Sequence, residues 1–227
     1  MNMQNGQSKK SKSEKIKPFV SLRGKKENMN KLLIATNNKG KVLEIQELLK
    51  DTNIELVTPD QIGLDLDVIE DGHTYAENAT KKALAFAQAS GLISLADDSG
   101  LDVDALDGAP GLYSARYGSS NGVKLSDAER RSYLIQNLQG KPRPWTAHFH
   151  ATIAIAVPNS AIHLIEGNCP GEIIPEEHGT GGFGYDPIFL LTELGKTMAE
   201  LSMDEKNRLS HRARAVMKAK GTLVQLF

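Results

Sequence analysis

The chain has 227 residues, 40% of them hydrophobic, and a formal net charge of −1 at pH 7, enough for one large α/β domain or two joined lobes around an ordinary core. No apolar run approaches the roughly eighteen residues that cross a bilayer, and the single cysteine, Cys169, has no internal disulfide partner, which points to a reducing, cytoplasmic setting. Residues 1–30 hold eight Lys/Arg against two Asp/Glu, about +6, while 19 basic and 26 acidic residues leave 31–227 near −7, a poor general binder of nucleic-acid backbone.

Residues 1–30 are rich in Lys, Ser, Asn and Gln, lack apolar periodicity, and read as a disordered basic extension. The ordered body is expected over 31–227. Leu32-Leu33-Ile34-Ala35 reads as a short buried strand, followed by the turn Thr36-Asn37-Asn38-Lys39-Gly40-Lys41. Val42, Ile45, Leu48 and Leu49 then recur at helical spacing, and residues 54–57 read as a second strand. Thr74 and Glu77 make a capping-box pattern ahead of an Ala-rich helix that reaches about Ser90 and stops at Gly91. Residues 92–96 read as a strand expected to end at Asp97-Asp98-Ser99-Gly100.

Ser126 and Glu129 open another capped helix, with Leu134, Ile135 and Leu138 inward and Gly140 closing it. Residues 149–157 alternate as a strand with one buried face, and 162–166 form its hairpin partner across Pro158-Asn159-Ser160. Ser210 caps a last helix expected to turn Ala213, Val216 and Met217 inward. Alternating elements followed by an antiparallel middle predict an α/β fold, with a mixed twisted central sheet flanked by helices.

Four groups of residues carry candidate chemistry. The turn from Thr36 to Lys41 places free N–H groups and two lysines at a helix start, which suits a phosphate chain, although an ordinary capped turn with solvated lysines is the plainer reading. Asp97 and Asp98 fall at the expected strand end, where α/β sheets gather ligands, and alternation should send only one of them toward a substrate. With Glu70-Asp71 or Glu77 as a second carboxylate, they could hold Mg²⁺; an acidic turn with one aspartate as a cap fits equally well. Four glycines at 179–184 let backbone approach a ligand, with Phe183 offering a stacking face and Asp186 an acceptor. Lys206, His211 and Arg212 sit around the start of the last helix. His148 and His150 share a strand face without a third ligand at zinc spacing.

In this order, Thr-Asn-Asn-Lys-Gly-Lys, Glu-Asn-Ala at 77–79, Ala-Asp-Asp-Ser-Gly-Leu, Gly-Ala-Pro-Gly-Leu-Tyr-Ser-Ala-Arg-Tyr, Gly-Thr-Gly-Gly-Phe-Gly-Tyr-Asp-Pro-Ile-Phe and Ser-His-Arg resemble the inosine triphosphate pyrophosphatase family over residues 31–227. The resemblance implies two lobes with the site in the cleft between them, a homodimer, and Mg²⁺-dependent hydrolysis of ITP, dITP and XTP to monophosphate and pyrophosphate. The acidic body and the lack of a long apolar run separately lead to the expectation of no membrane and no specific nucleic-acid partner. Carried over by residue, Thr36, Asn37, Asn38, Lys39, Gly40 and Lys41 would bind the phosphates. Glu70 and Asp98 would hold the metal, with Asp98 also the proton acceptor. Ser99, Phe183, Gly184, Tyr185, Asp186, Lys206, His211 and Arg212 would meet the nucleotide.

Overall fold

The computed structural model describes residues 30–120 and 123–227, so the expected extension over 1–30 lies outside the described residues except for Asn30. Strand β1 (Lys31–Ile34) leads through the polar turn into α1 (Lys39–Leu49), which returns the chain to β2 (Glu55–Val57). Helix α2 (Tyr75–Ser90) then crosses to β3 (Ile93–Val103). Both β2 and β3 run parallel to β1, an arrangement that requires a crossover helix each time.

The rest of the sheet is antiparallel. It uses the short β4 (Pro110–Gly111), the long hairpin β5 (Trp145–Ala156) and β6 (Ile162–Ile173), then β7 (Phe189–Leu191) and β8 (Lys196–Thr197). The order is β2-β1-β3-β5-β6-β7-β8, with β4 on β3, so the expected mixed sheet is found. Helices α3 (Asp127–Leu138), α4 (Met203–Leu209) and α5 (His211–Leu226) complete the chain.

Three strands longer than ten residues (β3, β5 and β6) run through two lobes. In the first lobe Ile45 and Leu48 of α1 and Val216 and Leu223 of α5 cover one sheet face. Ala83, Phe86 and Ala87 of α2 cover the other. The second lobe packs Leu134 and Leu138 of α3 and Phe189 of β7 on Leu101, Val103 and Phe149, at the far halves of the long strands. Each fully buried Leu, Ile or Phe contributes about 1.5–3 kcal/mol, so apolar packing anchors the long strands on both sides of the cleft.

Several expectations needed correction. Strand β3 does not end at Ala96: β5 pairs with it from Ser94↔Ala156 to Val103↔Ala147, and that ladder carries Asp97, Asp98, Ser99 and Gly100 through the middle of a strand. Strand β5 starts at Trp145, and its alternation fails from Ala151 to Ala156, where residues on both faces are buried because helices lie on both sides. Met217 is 50% exposed, and Ala215 and Ala219 take the inward positions of α5 instead. Thr74 caps α2 by accepting from the Glu77 N–H, but the Glu77 carboxylate accepts from His73, so the reciprocal bond of a capping box is not made.

Candidate active site

The lobes meet at a cavity of about 260 Å³, whose wall includes Lys41, Ser99, Phe183, Lys206, His211 and Arg212. Its first side is the start of α1. Asn38 caps that helix by accepting the Lys41 N–H at 3.2 Å, and no acidic residue occupies the first turn, so the positive helix end faces the cleft uncompensated. Asn38, Gly40 and Lys41 reach the wall; Thr36, Asn37 and Lys39 stand off it, and the Thr36 hydroxyl accepts from the Asn38 N–H.

Strand alternation separates the two aspartates, as expected. Asp97 points to the α1/α5 face, where Lys41 Nζ lies 2.6 Å from one carboxylate oxygen and Arg212 Nε 2.7 Å from the other. Burial alone would raise this carboxyl, but Arg212 and Lys41 outweigh it and hold Asp97 well below the usual carboxylate range. Asp98 points to α2. There Lys82 Nζ lies 2.9 Å from Asp98, 3.2 Å from Glu70 and 3.0 Å from the Asp97 carbonyl. Burial raises the Asp98 carboxyl above its ordinary value, against the pull of Lys82. Lys41 and Lys82 thus donate to the same Asp97 carbonyl from opposite sides, linking the cavity to the Asp98–Glu70 pair.

A single run of alternating charge continues from Asp97. Arg212 bonds Asp97, Glu44 and the Ser99 hydroxyl through its three nitrogens. Glu44 also meets Lys206 at 2.7 Å, and Lys206 meets Asp186 at 2.7 Å. Every charged member of this run is under 10% exposed except Lys41, whose side chain is 14% exposed. Such burial is tolerated only because each charge has an opposite partner. Asp186 then accepts the Phe183 N–H at 2.9 Å, so the chain of partners connects the phosphate-side lysine to the loop carrying the aromatic ring.

The aromatic side closes over the first. Lys206 and Arg212 stand 5.1 and 5.7 Å from the Phe183 ring centre. The ring also lies so close to α1 that a Cβ on Gly40 would be 2.7 Å from Phe183 Cδ1. His211 stacks on Phe149 at 4.8 Å and is buried, with no hydrogen-bond partner for Nδ1 among the described residues. Burial, with Arg212 next, drives its pKa well below the ordinary histidine value, so the ring is neutral and offers one donor and one acceptor.

Of the residues carried over by resemblance, most converge here, but Asp98 and Glu70 do not reach the cavity wall and stand together on Lys82, on the α2 side of β3. Ser99 donates to Asp97 at 2.9 Å. Tyr185 is buried and spends its hydroxyl on the Ser114 carbonyl at 3.0 Å, so it shapes the wall without presenting a polar group. Gly184 has both its N–H and its carbonyl engaged by α3. Glu77 caps His73 and takes no part in the acidic pair. His150 is bonded to Asn168 and Thr152, and among the described residues no three His, Cys, Asp or Glu cluster as a metal site.

Sequence reading missed Glu44 and Lys82. Each stands at an inward position of an amphipathic helix, four residues before Leu48 and Phe86 respectively. A charged residue in register with the apolar face was the available signal.

The chain is similar to known proteins along nearly all of its described length. A model of the Ham1 family matches residues 32–222. The dITP/XTP pyrophosphatase of Desulforamulus reducens is 50% identical over 198 residues, covering 87% of this chain and 97% of that one. The dITP/XTP pyrophosphatase of Bacillus subtilis is 41% identical, covering 84% and 95%. Among solved structures, a HAM1 protein from Coxiella burnetii aligns with a TM-score of 0.78 at 38% identity, over 87% of this chain and all of the other (100%). The Ham1 protein of Staphylococcus aureus aligns with a TM-score of 0.74 at 37% identity, over 86% and 98%. With a family match over residues 32–222, nearly all of the two-lobed body, the chain belongs to the Ham1 family.

Proposed function

We propose that this protein hydrolyses non-standard purine nucleoside triphosphates (dITP, ITP and XTP) to the monophosphate and pyrophosphate. One observation carries the reading: Lys41 at a helix start and Phe183 on a glycine loop face the same cavity. That cavity can therefore hold a phosphate chain at one side and a base at the other. The substrate class follows the relatives, which are named dITP/XTP pyrophosphatases.

The chain's own groups divide the work. The N–H groups of the α1 first turn and the Lys41 ammonium hold phosphate oxygens, and Lys41 keeps a third N–H beyond the two given to Asp97. Asp98, with its raised basicity, orients a water and takes its proton at a carboxylate oxygen. Phe183 stacks on the base. Lys206 and Arg212 keep N–H groups beyond those bonded to carboxylates and Ser99, and His211 keeps Nδ1. These groups suit a 6-oxo acceptor; the 6-amino group of adenine would leave them unpaired, at a cost in binding.

The donor set fits a magnesium ion. Glu70 and Asp98 offer hard oxygen ligands, both already drawn onto one cationic group, Lys82, and Mg²⁺ takes one or two carboxylates with water and substrate phosphate oxygens. When bound there, the ion would polarise phosphoryl oxygens as a Lewis acid.

Three further parts belong to this reading. The body 31–227 carries the activity alone, so deleting residues 1–28 leaves turnover unchanged. The protein is a homodimer, which light scattering would show as twice the chain mass. It works in a reducing cytoplasm, where a buried thiol such as Cys169, pushed up to about 11 by burial, stays inert. No described helix is long and apolar enough to cross a membrane. The test of function is pyrophosphate release from ITP, XTP, dUTP and dTTP with and without Mg²⁺. The purines should turn over, and only with the ion; faster turnover of a pyrimidine would overturn the substrate class.

A further inference from the structure

The loop that carries Phe183 is held from the second lobe by the start of α3. Asp127, the first residue of that helix, accepts the Gly184 N–H at 2.7 Å. One turn on, Arg131 donates to the Gly184 carbonyl at 2.8 Å. The same guanidinium makes two more bonds, both 2.8 Å, to the carboxylate of Glu177 on the approach to the loop. Arg131 therefore pins the loop at two points seven residues apart, with the planar, bidentate geometry that a guanidinium provides and an ammonium does not.

The loop needs such a grip. Gly179, Gly182 and Gly184 all adopt left-handed φ, from +62° to +78°. Glycine permits that path but adds no stiffness of its own. The Phe183 N–H is fixed by Asp186, and the next peptide is fixed by α3. Between these tethers the ring packs against Gly40 and near Lys206 and Arg212. Arg131 is not part of the cavity wall.

We infer that Arg131, locked by Glu177, is a positioning residue that sets affinity for the base by holding Phe183 in place, without touching the substrate. This rests on the reading of Phe183 as the base platform. It predicts that the base end and the phosphate end of the site respond differently when the grip is loosened, since the α1 turn makes none of these bonds.

The experiment compares Arg131→Gln, Phe183→Ala and the double variant in the full chain. It reads KM and kcat for ITP, the inhibition constant of inorganic tripolyphosphate, and Tm. Arg131→Gln should raise KM about tenfold, with kcat and the tripolyphosphate constant within about twofold. In the Phe183→Ala background the same change should add less than about twofold, because the group being positioned is gone. Arg131→Lys should behave like Arg131→Gln, since it keeps the charge but cannot span both sites. Should Arg131→Gln fail to fold, Glu177→Gln, at a side chain 47% exposed, loosens the grip from outside and should raise KM severalfold. An unchanged KM in the Arg131 and Glu177 variants, while Phe183→Ala raises it, would overturn the positioning role. So would full additivity in the double variant, or an equal loss of tripolyphosphate binding. A Phe183→Ala enzyme with normal KM would instead overturn the base-platform reading beneath it.

Discussion

Lys206 lies 2.7 Å from Glu44, a carboxylate supplied by the first helix to the cation of a helix near the other end of the chain. Glu44 also binds Arg212, and so joins two cations of the cavity wall into one buried network. Burial alone would raise its pKa, but Arg212 and Lys206 outweigh that and lower it.

Glu44→Ala should therefore leave two buried cations short of a partner and cost about 3–5 kcal/mol of stability. Glu44→Gln, which keeps the shape and part of the hydrogen bonding, should cost less. Urea unfolding midpoints check both. A loss under about 1 kcal/mol for the alanine variant would show that water or rearranged neighbours replace the carboxylate.

Gly40→Ala separates stability from binding. Gly40 stands in the first turn of α1, where alanine has only part of its helix-interior advantage of about 1 kcal/mol over glycine, so the melting temperature should change little. The added Cβ, however, would stand 2.7 Å from Phe183 Cδ1 and must displace the ring, so KM for ITP should rise severalfold. Parallel thermal and kinetic measurements test the split, and an unchanged KM would show that the ring is free to move aside.

His211 gives a pH signature. In the unfolded chain it takes a proton near its ordinary value of 6.5; in the fold, burial and Arg212 drive its pKa well below that. Between the two values the unfolded state binds more protons, so stability falls as pH falls, by up to about 1.4 kcal/mol per pH unit for this one group. His211→Phe, which keeps the stack on Phe149, should remove that contribution below pH 6.5. Urea unfolding at several pH values reads the difference, and an unchanged slope would mean that His211 is protonated in the fold.

Much of this was legible in the sequence because it is local. The strand–turn–helix at residues 31–49, the Ser126 capping box and the hairpin across Pro158-Asn159-Ser160 all follow from periodicity and capping chemistry. What escaped depends on distant partners. Asp97 and Asp98 looked like a strand end because polar residues interrupt an apolar run; they continue the strand because β5 offers a ladder and buried cations meet both carboxylates. Lys82 and Glu44 stand in register with apolar helix faces, but the partners that make them part of the site come from β3, α4 and α5. The grip of α3 on Gly184 joins residues 57 apart and leaves no periodic trace.

The most direct test of the proposed chemistry is Asp98→Asn, measured for both nucleotide binding and turnover of dITP with Mg²⁺. The replacement keeps the shape in the β3 ladder and removes the charge that would accept the proton. Binding within about threefold of the native protein and a fall in kcat of at least about a hundredfold are predicted. Near-native turnover would contradict the account, because it would exclude Asp98 as both proton acceptor and metal ligand.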